Sequence, residues 1–287
     1  MKINISFEDF KKNHKNKKSQ IIFTQRKCRN YKQIENLFSF LLAEKNSFIF
    51  ESVEKGKIRG RYTIIGLKPD KIWDINNNKV TIISHKKKKI KVNPLKFINK
   101  LLNEFKISMP KKLPPMSSMI VGYFSYDIIR YIEKIPNNCL DDLKIPDIRL
   151  SRPSNLVIYD NLKKITYYIE NVFSDVKIDD YFEKYNNIKR NFELFQSYEQ
   201  ITLPEKFTYK NNKNKIKSNI SKKNFLKIVS KAKNYIKNGD IFQVVLSQRF
   251  ERKIEKKPLE IYRSLRKSNP SPFMFYFNYA DFKILGS

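Results

Sequence analysis

Three times in this chain two short apolar runs are separated by a few turn-forming residues. Residues 71–75 and 79–84 flank Asn76-Asn77-Asn78, 155–159 and 164–169 flank a turn at Asp160-Asn161, and 273–279 and 282–285 flank Ala280-Asp281. Connections this short leave no room for a crossover, so each pair must return antiparallel. Further strand-like runs lie at 20–24, 48–52, 61–66 (ended by Gly66 and Pro69) and 119–124, the last running into a short helix over 126–132. Helical spacing of Ile34, Leu37, Phe38, Leu41 and Leu42 predicts a helix over roughly 33–45. Pro94 opens a second, with Leu95, Ile98, Leu101, Leu102 and Phe105 on one face, and Tyr181, Tyr185, Ile188, Phe192 and Phe195 mark a long third. Residues 1–18 read as a short amphipathic lead-in, 86–91 as a basic solvated edge and 110–115 as a loop. The expected fold class is α+β, with antiparallel sheets packed together and flanking helices.

Residues 197–219 are polar, rich in lysine and asparagine, and contain Pro204. They read as a linker between a domain at 1–196 and a second region at 220–287. In that region Ser221 can cap a helix whose apolar face is Phe225, Ile228, Val229, Ala232, Tyr235 and Ile236, and Gly239 stands where such a helix ends. Residues 242–250 read as a strand and 259–267 as a short helix before the last hairpin. A domain rarely closes on an aromatic hairpin with no polar tail, because an open apolar edge invites aggregation. The expectation is a fold incomplete at its C-terminus; a natural C-terminal strand buried in the sheet is the alternative.

The formal net charge of +31 raises nucleic-acid binding. Against it, the lysines run along the whole chain, and only three alanines (Ala43, Ala232, Ala280) and six glycines occur beside abundant Lys, Asn, Ile, Phe and Tyr. That is the signature of A/T-rich codons, and no RNP, zinc-finger or helix-turn-helix pattern accompanies it. No nucleic-acid partner is therefore expected. No apolar run reaches membrane-spanning length, and the basic N-terminus lacks the apolar core of a secretory signal. Cys28 and Cys139 stand in unrelated contexts, so a reduced, cytoplasmic setting is expected. His14 and His85 both lie in lysine runs and read as solvated surface.

Chemistry-bearing patterns are few. There is no Gly-rich phosphate loop, nucleophile triad or metal-ligand cluster. The acidic pairs Asp141-Asp142 and Asp179-Asp180 fit capping or solvated positions better than a metal. Asn269-Pro-Ser-Pro is either a rigid punctuating turn or a fixed loop presenting backbone groups to a small ligand. Gly239-Asp240, ahead of Gln243, is a sharp helix-to-strand corner.

At these residues the chain resembles the anthranilate synthase component I family of chorismate-utilising enzymes. Residues 235–250, Tyr-Ile-Lys-Asn-Gly-Asp-Ile-Phe-Gln-Val-Val-Leu-Ser-Gln-Arg-Phe, look like the start of its chorismate-binding domain. Residues 269–277, Asn-Pro-Ser-Pro-Phe-Met-Phe-Tyr-Phe, are similar to its NPSPYMFY element, and Gly286-Ser287 would open its GSSPE element. Upstream, 50–52, 60–70 and 121–136 match the family's N-terminal domain in order. Departures are Phe273 where tyrosine is common and Asn224 where an acidic residue is usual.

The resemblance implies an enzyme that converts chorismate and ammonia to anthranilate and pyruvate, in tryptophan biosynthesis. It implies ammonia supplied by a glutamine amidotransferase subunit, and Mg²⁺ on ligands expected downstream of Ser287, none within this chain. The N-terminal domain would be regulatory, and residues 220–287 only the opening of the chorismate-binding domain. Gln243 matches a position where water-using relatives carry a lysine base; an amide cannot deprotonate water, which suits an ammonia user, although a plain structural glutamine is equally open. Feedback inhibition by tryptophan is implied, at a pocket between the two domains. Its contacts here would be Ser52, with Glu51 beside it, and Pro272, Phe273 and Met274. Aminodeoxychorismate synthase, with the same fold, is the nearest alternative; a basic nucleic-acid-binding protein is the remote one.

Overall fold

The computed structural model describes residues 3–28, 31–52, 60–200 and 215–287. The chain divides into one unit of Met1–Leu203 with Tyr262–Ser287 and another of Pro204–Ile261. The first runs α1 (Phe7–Lys15), β1 (Gln20–Lys27), α2 (Tyr31–Leu41), β2 (Ser47–Glu51), β3 (Tyr62–Asn76), β4 (Lys79–Ile83), β5 (Lys87–Lys91) and α3 (Pro94–Glu104). It continues through β6 (Val121–Phe124), a 3₁₀ turn (Tyr126–Tyr131), β7 (Ile148–Asp160), β8 (Ile165–Val172) and α4 (Tyr181–Tyr198). The second unit holds β9 (Lys217–Ser218), α5 (Lys222–Lys237) and β10 (Phe250–Glu251); α6 (Pro258–Ser268) begins in it. The chain then returns to the first unit with β11 (Met274–Asn278) and β12 (Lys283–Gly286).

Ten of these strands form one antiparallel sheet, ordered β1-β8-β7-β3-β2-β11-β12. The far half of β3 carries β4 and then β5, and the far half of β7 carries β6. The mixed α+β class, with antiparallel pairing and flanking helices, is what the sequence implied; its strands form this large sheet and a two-stranded one, β9 with β10. One strand break is a correction. Residues 61–66 and 71–75 read as separate strands, but they are the two halves of β3. Lys68 takes a left-handed φ of 50°, and the register against β7 shifts between Pro69 and Lys71. That is a bulge, a setting in which a strand tolerates proline. Gly66 does not end the strand either: the Phe48 ring of β2 lies over it, where a Cβ would meet ring carbon at 2.1 Å.

The two faces of the sheet follow the pleat. Tyr167 and Ile169 of β8 join Phe48, Ile64, Leu156, Ile158 and Phe277 in one cluster. Tyr168 points the other way, with Phe195 of α4 at 6.5 Å. Asp180 caps α4 by accepting from the amides of Phe182 and Glu183 at 2.8 and 3.0 Å. On the far half of the sheet Phe97, Ile98 and Leu101 of α3 cover Trp73, Ile75 and Val80.

His14 corrects another expectation. Within the 1–18 segment Phe7–Lys15 fold as α1, whose Phe10 is fully buried against Tyr181 and Tyr185 of α4. His14 shares that inner face, and its Nδ1 lies 3.0 Å from the Tyr181 hydroxyl. A lysine run wound into a helix still turns one side inward. His85 is exposed, as expected.

In the second unit Ser221 caps α5 through the Asn224 amide at 3.3 Å, and Gly239 follows its end with φ 81°. The strand expected over 242–250 is not formed. Only Phe250–Glu251 pair, with Lys217–Ser218, and Phe242 is fully exposed. An apolar run states that a strand is affordable, but the ladder needs a partner. Most of the expected linker, 201–214, lies outside the described residues.

Candidate functional site

β2 ends at Glu51 and β11 begins at Met274, and these two residues are register partners. Phe275 then faces Phe50, Tyr276 faces Ile49 and Phe277 faces Phe48. Segments far apart in the chain thus become neighbouring strands of one sheet, by direct pairing. Asn278 locks the other end of the pairing: its amide donates to the carbonyls of Leu42 and Glu44 at 3.0 and 2.8 Å.

Glu51 is a buried carboxylate at the mouth of this strand pair. A charge there needs partners, because desolvation otherwise costs several kcal/mol. The Tyr262 hydroxyl donates to Oε1 at 2.6 Å and Arg266 Nε donates to Oε2 at 2.9 Å. Arg266 also reaches Glu35 of α2 at 3.2 Å. Tyr262 and Arg266 are one helical turn apart on α6, so a single face of that helix serves both oxygens. The Tyr262 ring lies 5.6 Å from Tyr276, whose phenol pKa is raised by burial.

Ser52 follows Glu51. Its hydroxyl is enclosed and has no hydrogen-bond partner among the described residues. An orphaned buried hydroxyl costs about 1–3 kcal/mol, so this is a place where a polar group of a ligand is favoured. Met274 is almost fully buried, whereas Phe273 beside it is 81% exposed. Pro272 is half-buried, and the Phe273 amide donates to Ser271 Oγ at 3.2 Å, which stiffens the approach to β11. The end of the hairpin returns to the same corner. Asn269 Nδ2 donates to Ser287 Oγ at 2.9 Å, and that hydroxyl donates to the Asn269 carbonyl at 2.8 Å.

The structure therefore gathers Glu51, Ser52 and Met274, with Pro272 and Phe273 leading in. Gln243 belongs to the second unit, exposed on an unpaired segment. Tyr262, Arg266 and Glu35 were missed from sequence. The available signal was Glu51 itself, a carboxylate closing an apolar strand and so in need of a donor. No group of three or more His, Cys, Asp or Glu side chains that could hold a metal occurs among the described residues, and none of their helices is long and apolar enough to cross a membrane.

Comparison with known proteins gives this geometry a context. Residues 45–287 match the model of a family described as chorismate binding enzyme. Anthranilate synthase component 1 of Cereibacter sphaeroides is 32% identical over 98% of this chain and 58% of its own length. Its counterpart in Acetivibrio thermocellus is 36% identical over 84% of this chain and 50% of its own. The chain thus spans about half the length of these curated relatives. A crystal structure of anthranilate synthase component I from Streptococcus pneumoniae superposes with a TM-score of 0.65 at 24% identity, over 81% of this chain and 51% of that one.

Proposed function

Because the chain belongs to the chorismate binding enzyme family, we propose that it is part of an anthranilate synthase large subunit, a lyase of tryptophan biosynthesis. In this reading chorismate and ammonia give anthranilate, pyruvate and water. The ammonia comes from glutamine on a partner amidotransferase subunit, and no nucleic acid takes part. Mg²⁺ would polarise the substrate carboxylate. By the family resemblance its ligands are expected outside these 287 residues, and no step is assigned to it here. Gln243, an amide, leaves water unactivated and so favours ammonia as the nucleophile. The setting is cytoplasmic.

The same reading makes the Glu51–Met274 corner the tryptophan-sensing site. The observation that supports it is the enclosed Ser52 hydroxyl, without a hydrogen-bond partner among the described residues, beside the paired Glu51 and Met274. Methionine suits the indole, while the hydroxyl and carboxylate suit the amino-acid end. A ligand there would bridge β2 and β11 and shift the enzyme between arrangements in proportion to its difference in affinity for them.

Calorimetric titration of L-tryptophan into the 287-residue chain should show one saturable site, lost in Ser52→Phe and in Met274→Thr. Equal binding in both variants would place the pocket elsewhere. Given chorismate, Mg²⁺ and ammonium, the 287 residues alone should form no anthranilate; fluorescent product would overturn the assignment of the metal ligands. In the enzyme that contains this chain, accumulation of aminodeoxychorismate instead of anthranilate would move the assignment to the aminodeoxychorismate enzyme.

A further inference from the structure

A cleft lies within the first unit, on the far half of the sheet, and has a volume of about 1170 Å³. Its apolar lining includes Trp73 of β3, Ile82 of β4, Ile90 of β5, Phe97 of α3, and Phe105 and Phe173. Trp73 and Phe173 are nearly fully buried, and the Phe105 and Phe173 rings lie 5.9 Å apart. The buried part of the lining is therefore a fixed aromatic surface.

The lining cations are Lys17, Lys18, Lys71, Lys96, Lys100 and Lys106, with Arg152; the carboxylates are Glu104 and Asp175. Both carboxylates are already engaged. Asp175 accepts from Arg152 at 2.8 Å and pairs with Lys71. Glu104 faces Lys100 at 3.7 Å. Arg152 is held deeper by Asp70, and its guanidinium stacks on Phe173 at 3.8 Å. Lys18, Lys96 and Lys106 are exposed and make no ion pair among the described residues. Scattered lysines follow from the chain's composition. Ammonium groups in excess over two carboxylates that already face cations, set around an aromatic floor, are a more specific arrangement, because field lines concentrate in a cleft with low-dielectric walls.

We propose that this cleft binds a small organic anion with a planar apolar body, its ring on the Trp73–Phe97–Phe105 floor and its acidic group toward Lys18, Lys96 and Lys106. Neutral aromatics satisfy only the floor, and inorganic anions only the rim. The site is separate from Glu51, Ser52 and Met274, and nothing about it depends on chorismate chemistry.

Trp73 is the sole tryptophan of the chain, so the floor carries its own reporter. The probe is 8-anilinonaphthalene-1-sulfonate, titrated into the 287-residue chain while Trp73 emission is followed. Saturable quenching is expected. It should weaken at least tenfold in Lys96→Glu/Lys106→Glu and fall with added salt. Leu226→Ser and Phe242→Ser remove exposed apolar groups of the second unit, and should leave the titration unchanged. Circular dichroism establishes that each variant is folded. The proposal is overturned if quenching does not saturate, or if the lysine variant binds as the parent does. It is equally overturned if the Leu226 or Phe242 variant abolishes binding, or if the neutral N-phenyl-1-naphthylamine binds as tightly as the sulfonate.

Discussion

α4 and α5 are amphipathic helices of similar length with almost the same alphabet, and they end differently. α4 buries Tyr185, Ile188, Phe192 and Phe195 against the sheet. α5 buries only Ala232, while Leu226, Ile228, Tyr235 and Ile236 remain 39–55% exposed. Both are well capped, by Asp180 and Ser221. The apolar stripe is thus a demand for a covering surface and does not supply one. The strand-like runs repeat the contrast: 274–278 found β2 and formed a ladder, whereas 242–249 joined no strand ladder among the described residues. Pattern reports what a segment can become. Pairing decides what it becomes.

The largest effect should separate the two helices. Phe192→Ala empties a fully buried site on α4 and should cost about 3–5 kcal/mol in urea unfolding of the first unit. Ile236→Ala, the same kind of truncation on α5, should stay within about 0.5 kcal/mol, since the side chain is already 46% exposed. Equal losses would mean that the α5 face is covered in solution and that the contrast is false.

A smaller effect should come from the strand pair that did form. Glu51→Gln keeps an acceptor for Tyr262 but removes the charge opposite Arg266. The expected loss is about 1–3 kcal/mol, toward the lower end because Arg266 is 26% exposed and water can replace part of the pair. Gln243→Glu, on the unpaired segment, should change the melting curve little. If Glu51→Gln is silent as well, the α6 contacts do not hold β2 against β11.

Much of this architecture was legible because its periods are clean. The hairpin turn at Asn77 and Asn78 appears with φ of 45° and 59°, the left-handed values that the Asn run suggests. What failed to show in the sequence had its polar groups neutralised at a distance. The first half of β7, from Ile148, carries Arg149 and Arg152 on a buried strand and so lacks a period-two pattern. Arg149 is matched by Asp74 at 2.6 Å and by Asp281 at 2.5 Å, far away in sequence. Arg152 is matched by Asp70 and Asp175. The site divides the same way. Glu51, Ser52 and Met274 could be named from motif resemblance, and their adjacency is a strand register that no local window contains. Tyr262 and Arg266 matter only once Glu51 is known to be buried.

The smallest expected effect compares the two carboxylates just past these helices. Glu199 follows α4 and is buried; Asp240 lies just past α5 and is exposed. Burial penalises the Glu199 carboxylate more than the Tyr168 hydroxyl and Arg26 stabilise it, so its pKa is raised above the ordinary 4.5. Its place at a helix C-terminus, where the dipole repels negative charge, acts in the same sense. The native state therefore holds this proton more tightly than the unfolded chain. Below pH 4.5 both states are protonated and Glu199 carries no penalty. As pH rises from 4.5 through the higher native value, the penalty accumulates, and it levels off above that value. Glutamine resembles the protonated form and accepts from Tyr168 as before. Glu199→Gln should thus be more stable than the parent at pH 7, by less than Glu51→Gln loses, and the gap should close as pH falls below 4.5. Asp240→Asn should leave stability within about 0.5 kcal/mol. Urea midpoints of both variants at pH 4, 5.5 and 7 test this directly. A Glu199→Gln gain that is flat with pH, or a loss at pH 7, would show that Tyr168 and Arg26 outweigh burial and that α4 closes on a favourable ion pair.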